Sequence, residues 1–382
     1  MRVAFCTGWD TPRDGIADYS QHLVTSLKRC GVSIKIAKLG FYIDDKSYYQ
    51  ALAKSIEGVD VCHVQFNYVY FNGELPYRNR FLYFLENVKV PVIMTAHEVR
   101  PSYKPGQGGF NGDVKKFIFN HTLLFWNTWS HLYHKVVYSR VNKIIVHTRC
   151  QQIMVNPFVD SREKIVLIPH GIPEFSRFES LMAKAQAKKK LGLEDKAVVT
   201  IFGFINKKKG YELILDILPQ LPPEVIFFIA GGCMTDNSID QEYYQGLLKI
   251  IAQKKLQERV RISGYIQEHE IPDIAAATDI CLAPFSSTSA SGALSLCIGY
   301  HKPIVASDID VHREVNERIP CLELFRHDDA ADVREKIMGL LRNQERLSEL
   351  IELTKEYSAR FSCFHIAEKT LEVYQEVLSR NR

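Results

Sequence analysis

The chain has no apolar run approaching the ~20 residues that a helix needs to cross a bilayer. Its start, Met1-Arg2-Val3-Ala4-Phe5-Cys6, lacks the long apolar core and cleavage site of a secretory leader and reads as a first strand. Cysteine is present without a pairing pattern. The nine, at positions 6, 30, 62, 150, 233, 281, 297, 321 and 363, include no Cys-x-x-Cys. An odd, dispersed set of this kind reads as reduced thiols, so a cytoplasmic location is expected, and Asn120-His121-Thr122 is a chance match to a glycosylation acceptor. A strong excess of one charge is missing too: with 48 Lys and Arg against 44 Asp and Glu, the net charge of +4 is too small to argue for a nucleic-acid partner. There is no G-x-G-x-x-G, which speaks against a nicotinamide or flavin cofactor, and no Walker pattern, which leaves nucleoside triphosphate hydrolysis without support. His131 and His134 are spaced i, i+3 with His121 upstream, but a metal site needs a third ligand and an open position, so no metal is expected.

What is present fits a soluble α/β protein. With 382 residues, 46% of them hydrophobic and 24% charged, the chain is too long for one typical core and suits two domains. Strand-length runs at Arg2–Gly8, Ser33–Lys38, Val59–Gln65, Pro91–Thr95, Lys143–His147 and Lys164–Ile168 alternate with helical spacing at Ile16–Cys30, Leu75–Val88 and Asp113–Val141. The pattern restarts with Val198–Phe204, Val225–Ala230, Val260–Gly264, Ile280–Pro284 and Pro303–Ser307. Such alternation implies parallel sheets with crossover helices, hence two Rossmann-like domains. Pro169-His170-Gly171-Ile172-Pro173 and the Lys-rich Ala183–Lys190 mark the junction, so the expected domains are residues 1–175 and 190–360. Residues 361–382, with the amphipathic stretch Ile366–Leu378, are expected to form a helix crossing back to the first domain. Doubly wound domains bind ligands outside the carboxyl ends of their strands, which directs attention to those loops and to an interdomain cleft.

After the first strand, Gly15 stands where the loop Trp9–Tyr19 becomes a helix, so amides there could approach a phosphate or sugar; a glycine chosen only for the turn is the equal alternative. After the fourth, His97 and Glu98 in Thr95-Ala96-His97-Glu98 could orient a sugar hydroxyl or accept a proton, although a lone His is more often structural. In the second half, Lys207, Lys208 and Lys209 precede Gly210 and the helical Tyr211–Leu218, a cationic rim suited to a diphosphate whose charge grows as a bond breaks. Pro284–Leu294, with Ser289, Ser291, Gly292 and Ala293 leading into the apolar helix Ala293–Gly299, has the form of a phosphate cradle at a helix start; a Ser-rich cap is the plain alternative.

Taken in order along nearly the whole chain, these segments resemble the retaining glycosyltransferases of family 4, which have the two-domain GT-B fold. The resemblance rests on Arg13–Tyr19, Asp60–Gln65, Pro91–Glu98, Lys164–Gly171 (KIVLIPHG), Phe202–Gly210, Val260–Tyr265, Asp279–Pro284, Pro303–Asp308 and Phe361–Leu378. It implies transfer of a sugar from a nucleoside-diphosphate sugar, the co-substrate, to a hydroxyl of a glycan, glycolipid or small molecule, with retention and without metal or other cofactor. It further implies that Gly15 lies near the donor phosphates, that His97 contacts the donor sugar, that Lys209 binds phosphate, and that the Ser289–Ala293 amides hold the distal phosphate.

Two positions depart from the family pattern. Its paired glutamates, eight apart, correspond to Thr288 and Leu296, so the usual ribose contact is missing. Its Arg before the lysine loop is also absent, with Lys207 or Lys208 as substitutes; a subset of the family with a Ser-x-Ser-Gly-x-Leu loop fits better. The aromatic stretch Tyr103–Arg140 has a core as its default reading, but it lies where such enzymes receive the acceptor. Glu98, Trp126 and Trp129 are therefore the acceptor candidates, and peripheral contact with the inner membrane face is a second reading of the same aromatics. The missing glutamates motivate one rival function, a non-catalytic sugar-nucleotide-binding or scaffold subunit. A sugar-nucleotide epimerase of the same layout is a more distant rival.

Overall fold

Strand β1 (Arg2–Thr7) is buried from Val3 onward and lies between β2 (Ser33–Lys38) and β3 (Val61–Phe66). β4 (Val92–Ala96), β5 (Lys143–Val146) and β6 (Ile165–Leu167) complete a six-stranded sheet of order β2-β1-β3-β4-β5-β6, parallel throughout. Continuous apolar runs such as Val-Ile-Met-Thr-Ala in β4 suit a sheet covered on both faces. The covering helices are α1 (Gly15–Arg29), α2 (Lys46–Ser55), α3 (Phe81–Asn87), α4 (residues 128–140) and α5 (Arg149–Val155). The computed structural model describes the chain except residues 12–13, 74, 100–127, 176–180, 234–237, 288–290 and 381–382.

The second sheet has the order β12-β11-β10-β7-β8-β9, again all parallel. Its strands are β7 (Ala197–Phe202), β8 (Val225–Ala230), β9 (Val260–Ile262), β10 (Ile280–Ala283), β11 (Ile304–Ser307) and β12 (Leu322–Phe325). Helices α6 (Leu181–Leu191), α7 (Tyr211–Ile217), α8 (Ser238–Gln253), α9 (Ile271–Ala277), α10 (Gly292–Gly299), α11 (Asp310–Arg318), α12 (Ala330–Arg342) and α13 (Gln344–Arg360) flank it. The chain forms two units, Met1–Gly171 with Cys363–Arg382 and Ile172–Ser362. The last helix, α14 (Cys363–Arg380), thus belongs to the first unit, where Ile366, Val373, Tyr374 and Val377 join Leu23, Val24 and Leu27 of α1 in one core. Lys143 anchors α14 by donating to Glu376 at 2.7 Å. Among the described residues, no helix is long and apolar enough to cross a membrane.

Two expectations shift. The helix expected over Leu75–Val88 begins only at Phe81, because residues 75–79 turn around Pro76 and the Asn79 side chain takes up the Phe81 amide at 2.9 Å. The expectation over Asp113–Val141 can be compared only from residue 128, the earlier part lying outside the described residues. β12 escapes a reading by runs: it is a four-residue edge strand interrupted by Glu323, which pairs with Lys336 and Arg346.

Each sheet has a point where strand order reverses, between β1 and β3 in the first and between β7 and β10 in the second. Crossovers leave in opposite directions there, opening a crevice at the carboxyl ends of the two strands.

Candidate functional site

In the second unit the crevice is framed by Phe202-Gly203 after β7 and Pro284-Phe285 after β10. Asn206 accepts from the Lys208 amide at 3.1 Å and winds Lys207–Lys209 into a tight turn. The Ser286 amide donates to the Lys208 carbonyl at 2.9 Å, tying that turn to the loop after β10. Gly210 closes the turn with φ +69°, and any side chain there would strike the Pro284 carbonyl, so the site needs glycine twice over. Lys207 and Lys208 are left exposed, whereas the Lys209 side chain folds inward.

Lys209 Nζ lies 3.9 Å from the centre of the Phe285 ring and 3.4 Å from the Phe202 carbonyl. A β-carbon on Gly203 (φ +104°) would stand 3.3 Å from this nitrogen and 3.5 Å from Ala293 Cβ, which brings Gly203, Lys209 and the start of α10 together. Burial pushes the ammonium down to about 8, opposed only slightly by the Cys297 thiol and by no carboxylate among the described residues. The ring beneath it is itself fixed, since Ser307 Oγ donates to the Phe285 carbonyl at 2.7 Å and His312 Nδ1 donates to the Ser307 carbonyl at 2.7 Å. Ser291 caps α10 by accepting from the Leu294 amide at 3.1 Å. The amides of Gly292 and Ala293 are among those a helix cannot satisfy internally, and Ala293 Cβ and Lys209 Nζ flank the same Gly203 position. Thr288 and Ser289 lie outside the described residues; Leu296, opposite in character to a carboxylate, packs on the core.

The other lysine run behaves differently. Lys188 binds Asp279 at 2.7 Å, Lys184 meets the same carboxylate, and Lys190 pairs with Asp273. Burial acts to raise the Asp279 carboxyl, but the two lysines and the Val198 amide outweigh it and hold it below the ordinary range. That run clamps α6 to α9 and β10 and is structural.

In the first unit, Asp14 caps α1 by accepting from the Ile16 amide at 3.0 Å, and its other oxygen accepts from the Tyr70 hydroxyl. Burial raises the Asp14 carboxyl against the lowering effect of Tyr70 and the Ile16 and Ala17 amides. The pair lies against Gly8 at the end of β1, at the reversal point of the sheet. Gly15 begins α1 exposed, with no described atom within 4 Å of a β-carbon placed on it and no positive φ. Neither the turn nor its neighbours require glycine, so its effect is to leave the helix start open to approach.

His97 follows β4, half-buried, and three groups fix it. Its amide donates to the Phe66 carbonyl at 3.2 Å, and Gln151 Nε2 donates to the Ala96 and His97 carbonyls at 3.0 and 3.3 Å. Gln151 is held in turn by its capping box with Thr148. On the side chain, Nε2 meets Gln65 Oε1 at 2.7 Å. The ring stands edge-on to Tyr19, which His147 and His170 also surround at centroid distances of 5.4 and 4.6 Å. Desolvation, followed by the mutual influence of neighbouring histidines, holds His97 well below its ordinary pKa and depresses His63 and His170 to about 3; His147 falls to about 4 through burial. His97 is therefore a neutral ring at pH 7. Glu98 follows it, half-buried.

Trp129 stacks on Tyr77 with ring centres 6.1 Å apart and remains 36% exposed, enough to present a face; Trp126 lies outside the described residues. Of His131 and His134, the second is buried and the first exposed. His134 bonds to Tyr68 and to the Ser130 carbonyl, and His131 packs on Phe158. Sequence reading passed over three partners, Gln65, Phe285 and the Asp14–Tyr70 pair, because their importance is a matter of tertiary neighbours. A buried Gln on an apolar strand was the one available signal.

Comparison with known proteins finds likeness to glycosyltransferases. Residues 183–357 match the family model "Glycosyl transferases group 1". Mannosylfructose-phosphate synthase of Agrobacterium fabrum is 25% identical over 201 residues, 51% of this chain and 43% of that protein. Alpha-D-kanosaminyltransferase of Streptomyces kanamyceticus is 22% identical over 210 residues, covering 53% of this chain and 52% of the relative. The chain thus spans about half the length of these curated relatives. Among solved structures, sucrose-phosphate synthase from Thermosynechococcus elongatus superposes with a TM-score of 0.75 at 14% identity, over 100% of both chains. Anabaena HepE in complex with UDP-glucose gives 0.71 at 15% identity, over 98% of this chain and 100% of that one. The chain therefore has the GT-B fold, and 183–357, within its second unit, is the part similar to the group 1 glycosyl transferases.

Proposed function

We propose that this protein is a retaining glycosyltransferase of the family 4 type. It moves a sugar from a nucleoside-diphosphate sugar to a hydroxyl of a glycan, glycolipid or small-molecule acceptor. The observation that carries the reading is Lys209, a desolvated cation with no carboxylate partner among the described residues, set beside the start of α10 at the reversal point of a sheet. An anion of two phosphates is the ligand such a place favours, because its charge offsets the desolvation of the ammonium and meets the unsatisfied amides. In transfer, the departing diphosphate gains negative charge as the glycosidic bond breaks, and Lys209 with the Gly292 and Ala293 amides stabilises it. These groups, with Lys207 and Lys208 on the rim, supply the positive charge without a metal. Gly15 lets the α1 start approach a phosphate, and His97 bonds a sugar hydroxyl. The acceptor hydroxyl attacks on the face that the diphosphate leaves, giving retention. Glu98, Trp126 and Trp129 are proposed for the acceptor, and the reaction is placed in the cytoplasm, with peripheral membrane contact if that acceptor is a glycolipid.

The missing glutamates favour a second reading, a non-catalytic sugar-nucleotide-binding or scaffold subunit: Leu296 offers a ribose nothing to bond to. In the transferase reading the Ser-x-Ser-Gly loop takes over this end of the donor. A thermal-shift panel of nucleoside diphosphates and their sugars tests the proposal. Stabilisation by at least one nucleotide, lost in Lys209→Met, is expected. No stabilisation by any of them overturns the transferase reading and favours a scaffold, whereas stabilisation without turnover favours a non-catalytic sugar-nucleotide-binding subunit.

A further inference from the structure

The protein does little to answer the charge of Lys209. An ammonium has several N–H donors, yet among the described residues they meet a single acceptor, the Phe202 carbonyl, across a long 3.4 Å. The other close contact is not a hydrogen bond. Nζ lies over the face of the Phe285 ring, 3.9 Å from its centre, where the π electrons carry partial negative charge. Phe285 is buried, and a cation over a ring gains most where water is excluded. A leucine would fill much of the same space and offer the charge nothing. The ring is also held from behind: Ser307 Oγ donates to its carbonyl, His312 Nδ1 donates to the Ser307 carbonyl, and the His312 ring packs on Phe285 with centres 5.7 Å apart. Among the described residues, the titratable groups that face Lys209 are the Cys297 thiol of α10 and the His312 ring of α11. His312 is neutral at pH 7, held down to about 4 by burial first and then, against its bond to Ser307, by the charge of Lys209. Lys207 and Lys208 share the turn and are exposed.

We infer that Phe285 is a positioning residue that seats the Lys209 ammonium on its ring face beside α10, so that an arriving diphosphate meets a charged amine already in place. The ring gives no atom to the reaction and acts only through Lys209. Its effect has a definite sign. Without the ring, the charged amine of the free protein loses its compensation and gives up its proton at lower pH. Once bound, the diphosphate supplies its own counter-charge, so the bound state changes little. Phe285 should therefore matter to affinity only where the free amine has lost its proton. The inference rests on the transferase reading for the identity of the anion; the seat itself does not.

Two measurements test it. The first is an NMR titration of the ligand-free protein with lysine labelled at Cε, the Lys209 signal being assigned by its loss in Lys209→Met. Wild type should titrate near 8 and Phe285→Leu about one pH unit lower. Phe285→pentafluorophenylalanine, a ring of nearly the same shape whose face is positive, should move the same way. An unchanged midpoint in both variants overturns the inference. The second is calorimetric titration with a nucleoside diphosphate. Phe285→Leu should bind within about twofold of wild type at pH 6.5 and about fivefold more weakly at pH 8. Added to Lys209→Met, the same substitution should change affinity at neither pH. Weakening that is equal at both pH values, or that persists without Lys209, marks a packing role and overturns the inference. Should no nucleotide bind the wild type, the transferase reading fails, while the NMR titration still decides the seat.

Discussion

Lys209 is the residue whose behaviour can be worked out furthest. Its ammonium is held down to about 8 by burial, against an ordinary value of 10.5. At 1.36 kcal/mol per pKa unit, the fold works against its charged form by about 3 kcal/mol. A bound diphosphate reverses that balance, because it supplies the missing counter-charge and raises the bound-state pKa above the working range. Binding must then be coupled to proton uptake. A group of pKa 8 is about 3% unprotonated at pH 6.5, half at pH 8 and about nine-tenths at pH 9. A nucleoside diphosphate should therefore take up almost no proton at pH 6.5, about half a proton at pH 8 and about 0.9 at pH 9. The apparent Kd should rise about twofold by pH 8 and about tenfold by pH 9 relative to its acidic plateau. Calorimetric titration in two buffers of different ionisation enthalpy reads the proton count directly, with Lys209→Met as the blank for the ligand's own ionisation. Proton uptake equal in wild type and Lys209→Met at pH 8, together with a Kd independent of pH between 7 and 9, would refute the reasoning.

Three further outcomes are expected. His97→Ala should lower transfer by about a hundredfold or more with little change in melting temperature, since the half-buried ring bonds a ligand as well as Gln65; wild-type turnover would remove His97 from the site. Gly203→Ala imposes a side chain at φ +104° and 3.3 Å from the Lys209 nitrogen, so both stability and nucleotide affinity should fall, measured by thermal unfolding and titration; an unchanged affinity would separate Gly203 from the lysine. Asp14→Ala loses a helix cap and the Tyr70 bond and should cost about 1–2 kcal/mol in denaturant unfolding, which an unaltered midpoint would contradict.

Much of the fold was legible because parallel strands buried on both faces are written as unbroken apolar runs. Ser33–Lys38 and Val225–Ala230 were found to the residue, and most other strands within two residues at either end. β12 was missed because a short edge strand can carry a charge, here Glu323, that a buried strand excludes. The lysine runs show where sequence reading stops. Lys188–Lys190 and Lys207–Lys209 look alike on paper, yet Asp279 and Asp273 neutralise the first, while Phe285 and a half-buried seat single out Lys209 in the second. His97 was legible as a strand-end histidine, but Gln65 acquires meaning only when β3 and β4 lie side by side. Ser289 and Trp126, both named from sequence, lie outside the described residues.

The measurement that tests the central claim most directly is a transfer assay. Wild type and Lys209→Met are incubated with the nucleotide sugars that stabilise the protein and a panel of hydroxyl acceptors, and products are read by mass spectrometry and proton NMR. The account predicts free nucleoside diphosphate and a glycoside of the donor's own anomeric configuration from wild type, with transfer reduced at least about a hundredfold in Lys209→Met. Tight nucleotide-sugar binding with no diphosphate released across the panel, or a glycoside of inverted configuration, would contradict it.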